Sequence, residues 1–154
     1  NPEVSAAILL LNSVDVVKPK FIKSRQLKPF IKSLVLSEGL VSGDIAIVFC
    51  SDEYLLKINQ DFLNHDYYTD IITFDYCENG IVNGDLLISL DRVLENSTKE
   101  NTSFLEELHR VVFHGVLHLC GFKDKSKKDI EMMRFKESHY LNLYVPRETL
   151  GGLI

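Results

Sequence analysis

The sequence predicts an α+β fold in which a small mixed β-sheet of about four strands packs against about five helices. In the first half of the chain, short apolar runs rich in Ile and Val alternate with segments of helical periodicity, and a helix between two strands favours parallel pairing. A short connection between the third and fourth strands favours one antiparallel pair. Three helical segments follow, and the most apolar one contains two histidines four residues apart. We therefore expect a mostly parallel sheet, with this histidine-containing helix buried at the centre.

The length and composition are typical of one globular domain. With 154 residues, of which 45% are apolar and 25% charged, the chain can bury a core, so we expect a single domain from 1 to 154. Pro146 and Gly151-Gly152 indicate a loose tail from about residue 145. No apolar run approaches the ~20 residues that cross a membrane. The short apolar run from Ala6 to Leu11 has no basic residues before it, so we expect no secretory leader there.

The predicted elements of the first half follow the order β-α-β-α. Residues 4–11 are apolar and are expected to form the first strand, and residues 43–50 form a second, buried strand. Between them, residues 24–38 carry apolar side chains at intervals of three and four, which predicts a helix with one buried face. Ser51 is a favourable N-cap, so a second helix is expected from there to about Leu63.

The second half is predicted to begin with a strand pair. Residues 69–76 are rich in β-branched and aromatic side chains, residues 85–90 form another apolar strand, and Asn79-Gly80 and Asn83-Gly84 are turn signals between them. A short helix is expected over residues 91–98.

Two further helices complete the chain. Ser103 followed by Glu106 is a capping-box pattern, and it begins a helix that we expect to end at Gly121. The second half of this helix is apolar almost all round, which indicates burial. A last helix is expected over residues 127–143.

The charges are unevenly distributed. The formal net charge is −5, which argues mildly against a protein that coats nucleic acid, but the segment from Lys18 to Ser37 contains six basic residues and no acidic one. Such segregation can steer a polyanion to one face of an acidic protein. The alternative is a solvated helix face. The six residues are Lys18, Lys20, Lys23, Arg25, Lys28 and Lys32.

The cysteines indicate a reducing compartment. Cys50, Cys77 and Cys120 are odd in number, far apart and without a C-x-x-C pair. Neither a disulfide framework nor a thiolate zinc site is therefore indicated. Reduced thiols suit the cytoplasm, which is the expected location.

The most informative stretch begins at His114. His114 and His118 are four residues apart, so both imidazoles lie on one face of the predicted helix. Gly121 can end that helix in a left-handed conformation, and the chain can then bring Asp124 to the same point. Two imidazoles and a carboxylate form a three-ligand site for a divalent metal, with one position open for water. The alternative is a chance histidine pair, since a histidine in an apolar helix is usually a hydrogen-bonded core residue.

The residue after the first histidine argues against a protease. The four-then-six spacing also occurs in the metzincin pattern H-E-x-x-H-x-x-G-x-x-H, where the glutamate is the general base. Here that position is Gly115. A peptide-cleaving mechanism would lack its proton acceptor.

Three segments resemble one known family. HGVLHLCGFKD, at residues 114–124, is similar to the H-G-x-L-H-L-x-G-[YF]-D-H signature of YbeY-type endoribonucleases. LKINQDFLNHDYYTDIITF, at residues 56–74, resembles the family's L-N-x-x-[YF]-R-x-x-D-x-P-T-D-V-L-S-F segment, and GDLLIS, at residues 84–89, resembles its G-D-I-x-I-S strand. The matches occur in the right order and cover roughly residues 55–125.

The resemblance implies an activity. It implies a single-strand-specific, metal-dependent endoribonuclease. From the ligand types we expect the metal to be one Zn²⁺ per chain, held by His114, His118 and Asp124. The resemblance also implies a role in maturing the 3′ end of small-subunit ribosomal RNA and in ribosome quality control. The implied partners are ribosomal RNA and the small ribosomal subunit, with no membrane and no obligate protein partner. The alternative is a ribosome-associated assembly factor whose metal is chiefly structural.

Two departures from the family pattern affect the site. The third ligand of the family is usually histidine, whereas this chain has Asp124, a good zinc ligand that makes the ion a weaker Lewis acid. Leu63 replaces the family's arginine near the cleft, so another cation must contact phosphate. His65 could do so, or a group of lysines beside the ligands, for which a solvated loop is the alternative. These lysines are Lys123, Lys125, Lys127 and Lys128.

Several other residues could contact the substrate or have a structural role. Lys28 and Lys32 could line an RNA groove, and Tyr67 and Tyr68 could stack on bases, although packing at a strand entry is the commoner role for such tyrosines. Asp70 could orient a ligand or simply cap a turn. Beyond the metal-bound water, which zinc would activate, the residues identify no catalytic group.

Overall fold

The computed structural model describes residues 6–65 and 68–144, and the predicted α+β class is confirmed. Within these two ranges, four strands and five helices occur in the predicted order. Residues 4 and 5 of the first predicted strand, Tyr67, and the predicted tail from 145 lie outside the described residues. The elements are β1 (Ile8–Asn12), α1 (Ser24–Ser37), β2 (Val41–Cys50), α2 (Asp52–Leu63), β3 (Ile71–Asp75), β4 (Ile81–Ser89), α3 (Leu90–Lys99), α4 (Phe104–Leu119) and α5 (Lys127–Tyr144).

The four strands form one mixed sheet in the order β1-β2-β4-β3. The β1–β2 and β2–β4 pairs are parallel and the β3–β4 pair is antiparallel, as predicted. The hairpin between β3 and β4 turns at Asn79 and Gly80, whose φ angles are +52° and +77°. Positive φ at both central residues is the backbone of a two-residue hairpin turn, which explains the Asn-Gly pair there.

The second Asn-Gly pair is not a turn, so that prediction was wrong. Asn83 and Gly84 lie inside β4, which begins at Ile81 rather than at Asp85. A Cβ at Gly84 would stand 2.6 Å from the carbonyl oxygen of Phe74 and 2.7 Å from the side chain of Leu119. The Asn83 side chain accepts a hydrogen bond from the Asp44 backbone N–H at 2.8 Å, where the β2–β4 register shifts. The asparagine therefore stabilises a strand irregularity, and the glycine allows another backbone to approach closely.

Helices cover the two faces of the sheet unequally. The larger core lies on the face covered by α1, α3, α4 and α5, and the smaller one lies under α2. Alternate strand residues point to the two faces. The larger core includes Ile45, Ile47, Phe49, Leu86, Ile88, Val112, Phe113 and Val116, and the smaller one is formed by Cys50, Leu55, Ile72 and Leu87.

Helix α4 lies against the sheet, as its apolar sequence predicted. Ser103 caps it by accepting a hydrogen bond from the Glu106 N–H at 3.0 Å, and the chain turns at Gly121 with φ +107°. A Cβ at Gly115 would stand 2.7 Å from Ile71 of β3 and 2.8 Å from Leu86 of β4. The absent side chain at residue 115 therefore lets α4 approach these strands closely.

His109 shows what a structural histidine looks like in this helix. It is 2% exposed, its Nδ1 lies 2.7 Å from the Leu105 carbonyl oxygen, and it packs among the rings of Phe21, Phe113 and Tyr144. Burial lowers the pKa of His109 below its ordinary value, because an apolar surrounding disfavours the charged ring. His109 is therefore a neutral core residue.

Two further expectations concern the cysteines and the membrane. Cys50, Cys77 and Cys120 are all free thiols. Burial raises the pKa of Cys50 and of Cys120 to about 12. Within residues 6–65 and 68–144, no helix combines the length and apolar character that a membrane crossing requires.

Candidate metal centre

The paired histidines of α4 face a cavity of about 270 Å³ at the β3 edge of the sheet. His114 and His118 both line it, as their four-residue spacing predicted, and Asp124 lines it from the loop after α4. Strand β3 forms another wall through residues 71–73. The three side chains predicted to bind metal therefore share one cavity.

Asp124 reaches this cavity through the turn that ends α4. The backbone N–H of Phe122 donates to the Leu117 carbonyl at 3.1 Å, and Gly121 takes the left-handed conformation. Such a turn is a common helix ending. It places Oδ2 of Asp124 3.5 Å from Nε2 of His114.

The other nitrogen of His114 contacts a buried carboxylate on α5. Nδ1 of His114 lies 2.6 Å from Oε2 of Glu137, whose side chain is 5% exposed. A carboxylate only accepts hydrogen bonds, so Nδ1 of His114 is the donor. In the neutral ring the lone pair is then on Nε2, which faces Asp124 and the cavity. Metal-binding histidines usually have this arrangement, with the second nitrogen bound to a carboxylate or carbonyl.

Charges around His114 raise its pKa above the ordinary value. Burial is the largest influence and opposes protonation, but the hydrogen bond and charge of Glu137, with the charges of Asp124 and Asp70, outweigh it. This negative surrounding attracts cations in general. A metal ion and a proton would therefore compete for the ring.

The donor set fits a divalent metal in chemical kind, and one of its three side chains, His114, is oriented for binding. Two imidazoles and one carboxylate are common zinc ligands, and His114 already has its ligand nitrogen directed into the cavity. In the part of the chain that the structure describes, no three His, Cys, Asp or Glu side chains are gathered tightly enough to enclose an ion as they stand.

A second cavity, of about 340 Å³, lies on the other side of His114. Its charged lining has more acids than bases, and burial raises the pKa of Asp70 and of Glu107. It shares His114 and Asp124 with the first cavity, so the two adjoin at the imidazole, and the second cavity is the acidic region beside it. The charged residues that line it are Asp70, Glu107, Arg110, Asp124, Arg134 and Glu137.

The structure brings only some of the predicted RNA contacts to the metal cavity. His65 lines it together with Leu63, and Lys123 and Lys125 are exposed on either side of Asp124. Lys28 and Lys32 instead line a separate cavity of about 340 Å³ between α1 and the start of β1 and β2.

This cavity, which we call the basic cavity, is far from the histidines. It lies at the β1 edge of the sheet, whereas the metal cavity lies at the β3 edge. Three strand spacings separate β1 from β3, which is about 14 Å. Lys28 and Lys32 are therefore not part of the metal cavity.

Sequence reasoning missed Glu137 and Arg110. Both act through the contact between α4 and α5, whose residues are far apart in the sequence. One signal was present, because Glu137 lies four residues after Met133 and three before Tyr140, on the stripe that buries α5. A glutamate at a position expected to be apolar indicates a buried partner.

Comparisons with known proteins agree on one family. A family model described as "Endoribonuclease YbeY" matches residues 16–145. A protein of that name from Porphyromonas gingivalis strain W83 is 53% identical over 131 residues, which is 85% of each chain. One from Bacteroides fragilis strain ATCC 25285 is 48% identical over 125 residues, covering 81% of this chain and 90% of the relative.

A solved structure has the same fold. The solution structure of a Thermotoga maritima protein is similar with a TM-score of 0.65 and 27% sequence identity. The similarity covers 88% of this chain and 87% of that one. The mixed sheet and the helices around it are therefore a known arrangement.

Proposed function

This chain belongs to the Endoribonuclease YbeY family, and on that basis we propose that it cleaves single-stranded RNA with one zinc ion held by His114, His118 and Asp124. As a member of the family it is an endoribonuclease, and so a hydrolase. The observation that carries the zinc proposal is the hydrogen bond from Nδ1 of His114 to Glu137, which directs Nε2 of the ring toward Asp124. A core histidine such as His109 has no such carboxylate partner.

The residues of the cavity support hydrolysis of a phosphodiester. A divalent ion bound there would polarise a phosphoryl oxygen and activate water. Lys123 and Lys125 are exposed beside Asp124 and can neutralise the phosphates that flank the scissile bond. His65 lines the cavity together with Leu63. It is therefore placed to supply the polar contact that Leu63, in place of the family's arginine, does not.

The proposed substrate is ribosomal RNA. The resemblance of the three sequence segments to the family implies maturation of the 3′ end of small-subunit RNA and ribosome quality control. We propose that the protein meets this substrate on the small ribosomal subunit in the cytoplasm, the compartment that its free cysteines suit. The absence of a glutamate at Gly115 argues against peptide substrates.

A metal-dependent cleavage assay tests the proposal. Purified protein of measured zinc content is incubated with labelled RNA in single-stranded and duplex form, with and without a chelator. We expect cleavage of the single strand that the chelator abolishes and added zinc restores. Tight RNA binding without cleavage in any of these samples would instead favour an assembly factor with a chiefly structural metal.

A second RNA contact is proposed at the basic cavity, which lies at the β1 edge of the sheet. We propose that Lys28 and Lys32 bind RNA backbone outside the metal cavity, because both line one cavity and the segment from Lys18 to Ser37 has six basic residues and no acidic one. Reversing both charges, in K28E/K32E, should weaken RNA binding. It should also lower the slope of log affinity against log salt by roughly 1.4, the value for two single-strand phosphate contacts.

The control variant reverses the charge of two lysines at other positions. K57E/K99E reverses lysines of α2 and α3, which do not line the basic cavity. Fluorescence anisotropy titrations at several salt concentrations give the slopes. Equal losses in the two double variants would show an effect of net charge alone and would count against a binding site at α1.

A further inference from the structure

We propose that Glu137 is a positioning residue, which fixes the orientation and the tautomer of His114 so that Nε2 is ready to bind the metal. This inference rests on the proposed function, because it concerns the same zinc site. It assigns a role to a residue of α5, far in the sequence from the histidine motif. It also means that the contact between α4 and α5 contributes to the metal site as well as to packing.

The hydrogen bond to His114 has the geometry for this role. The 2.6 Å separation between Nδ1 and Oε2 of Glu137 is short, as expected when the acceptor is charged. The side chain of Glu137 is 5% exposed and that of His114 is 24% exposed, so water competes little for the bond. A ring held through Nδ1 cannot flip without breaking this bond. Its Nε2 therefore stays directed at Asp124.

Two arginines hold the carboxylate in turn. Nη1 of Arg110 lies 3.4 Å from Oε1 of Glu137, and Nη1 of Arg134 lies 3.7 Å from the same oxygen. Arg110 also donates to the hydroxyl of Ser138 at 3.2 Å, which locks its guanidinium against α5. One carboxylate oxygen of Glu137 thus faces cations while the other accepts from His114. Both oxygens have defined partners.

The burial of Glu137 supports a role beyond stability. A carboxylate taken out of water costs free energy that even good partners barely offset, and an apolar residue of similar size is often as stable. Glu137 occupies the α5 stripe together with Met133, Tyr140 and Leu141, where a leucine or methionine would pack. What a carboxylate adds at that position is a charged acceptor for Nδ1 of His114.

Glu137 orients only one of the two imidazoles of the proposed metal site. Among the residues that the structure describes, the imidazole of His118 makes no hydrogen bond, whereas that of His114 is held by Glu137. His114 is therefore the pre-oriented ligand. Loss of Glu137 should weaken the metal site through this ring while His118 remains unchanged.

Zinc affinity measures the proposed role directly. E137Q keeps the size of the side chain and removes its charge, so zinc competition against a chromophoric chelator should show an affinity about 10–100-fold lower than wild type. E131Q is the matched control, an exposed glutamate of the same helix. Its affinity should equal that of wild type. Equal affinities of E137Q and wild type would overturn the inference.

Nuclear magnetic resonance of the zinc-free protein supplies a readout independent of zinc. At a pH where the ring is neutral, the ¹⁵N shifts of His114 should show a protonated Nδ1 in wild type and a mixed tautomer in E137Q. A wild-type ring protonated on Nε2 overturns the inference even if E137Q fails to fold. A wild-type protein that binds no zinc refutes the proposed function instead, and the tautomer still decides the role of Glu137.

Discussion

H114A/H118A is expected to bind no zinc and to leave single-stranded RNA uncut. The double substitution removes two of the three proposed ligands, and the side chain of the remaining one, Asp124, is 46% exposed. A lone surface carboxylate does not retain zinc at low concentrations, because the affinity of such sites comes from several ligands held together. Elemental analysis and RNA cleavage, measured on the same sample, should therefore both fall to background.

The fold should survive this double substitution. His114 is part of the network around Glu137, but Arg110 and Arg134 still neutralise that carboxylate when the ring is gone. His118 lines the cavity and is only partly buried. Circular dichroism should show the wild-type helix content. H139A, at an exposed histidine of α5, is the control and should keep both zinc and activity.

Cleavage that persists in H114A/H118A would place the catalytic site elsewhere on this chain. Retained zinc without cleavage would have a different meaning, since it would show that another ligand set holds the metal. In that case the imidazoles would contact RNA rather than the ion. The paired measurement separates these outcomes.

The sequence predicted those features that depend on short segments. The spacing of His114, His118 and Gly121 predicted the helix face, the helix end and the approach of Asp124, because all of them lie within three turns of one chain segment. The Asn79-Gly80 turn was predicted for the same reason. Both turn residues have positive φ, and that requirement can be recognised from the dipeptide itself.

Features that depend on distant contacts could not be predicted in this way. The dipeptide Asn83-Gly84 looks identical to a turn, and only the approach of Phe74 and Leu119 shows that it belongs inside β4. Glu137 pairs with His114 across 23 residues, so no local pattern connects them. The positive charge of α1 was evident from the sequence, but its place at the opposite edge of the sheet depends on strand order.

D124A is expected to lower zinc affinity by more than about 100-fold, and D124H should retain it. Removing a ligand should cost more than removing a residue that only orients one, for which 10–100-fold is usual. The family signature has histidine at this position, and the side chain of Asp124 is 46% exposed. The larger imidazole therefore has room to project from the same loop toward Nε2 of His114.

The two variants separate metal binding from metal reactivity. A histidine ligand is neutral, so zinc held by three imidazoles keeps more positive charge and is the stronger Lewis acid. At saturating zinc, D124H should therefore cleave RNA faster than wild type, while D124A should regain activity only in part. D61H, at an exposed aspartate of α2, controls for the added imidazole. If D124A bound zinc as tightly as wild type, Asp124 would not be a ligand. Its position beside His114 would then indicate only an electrostatic contact within the acidic region.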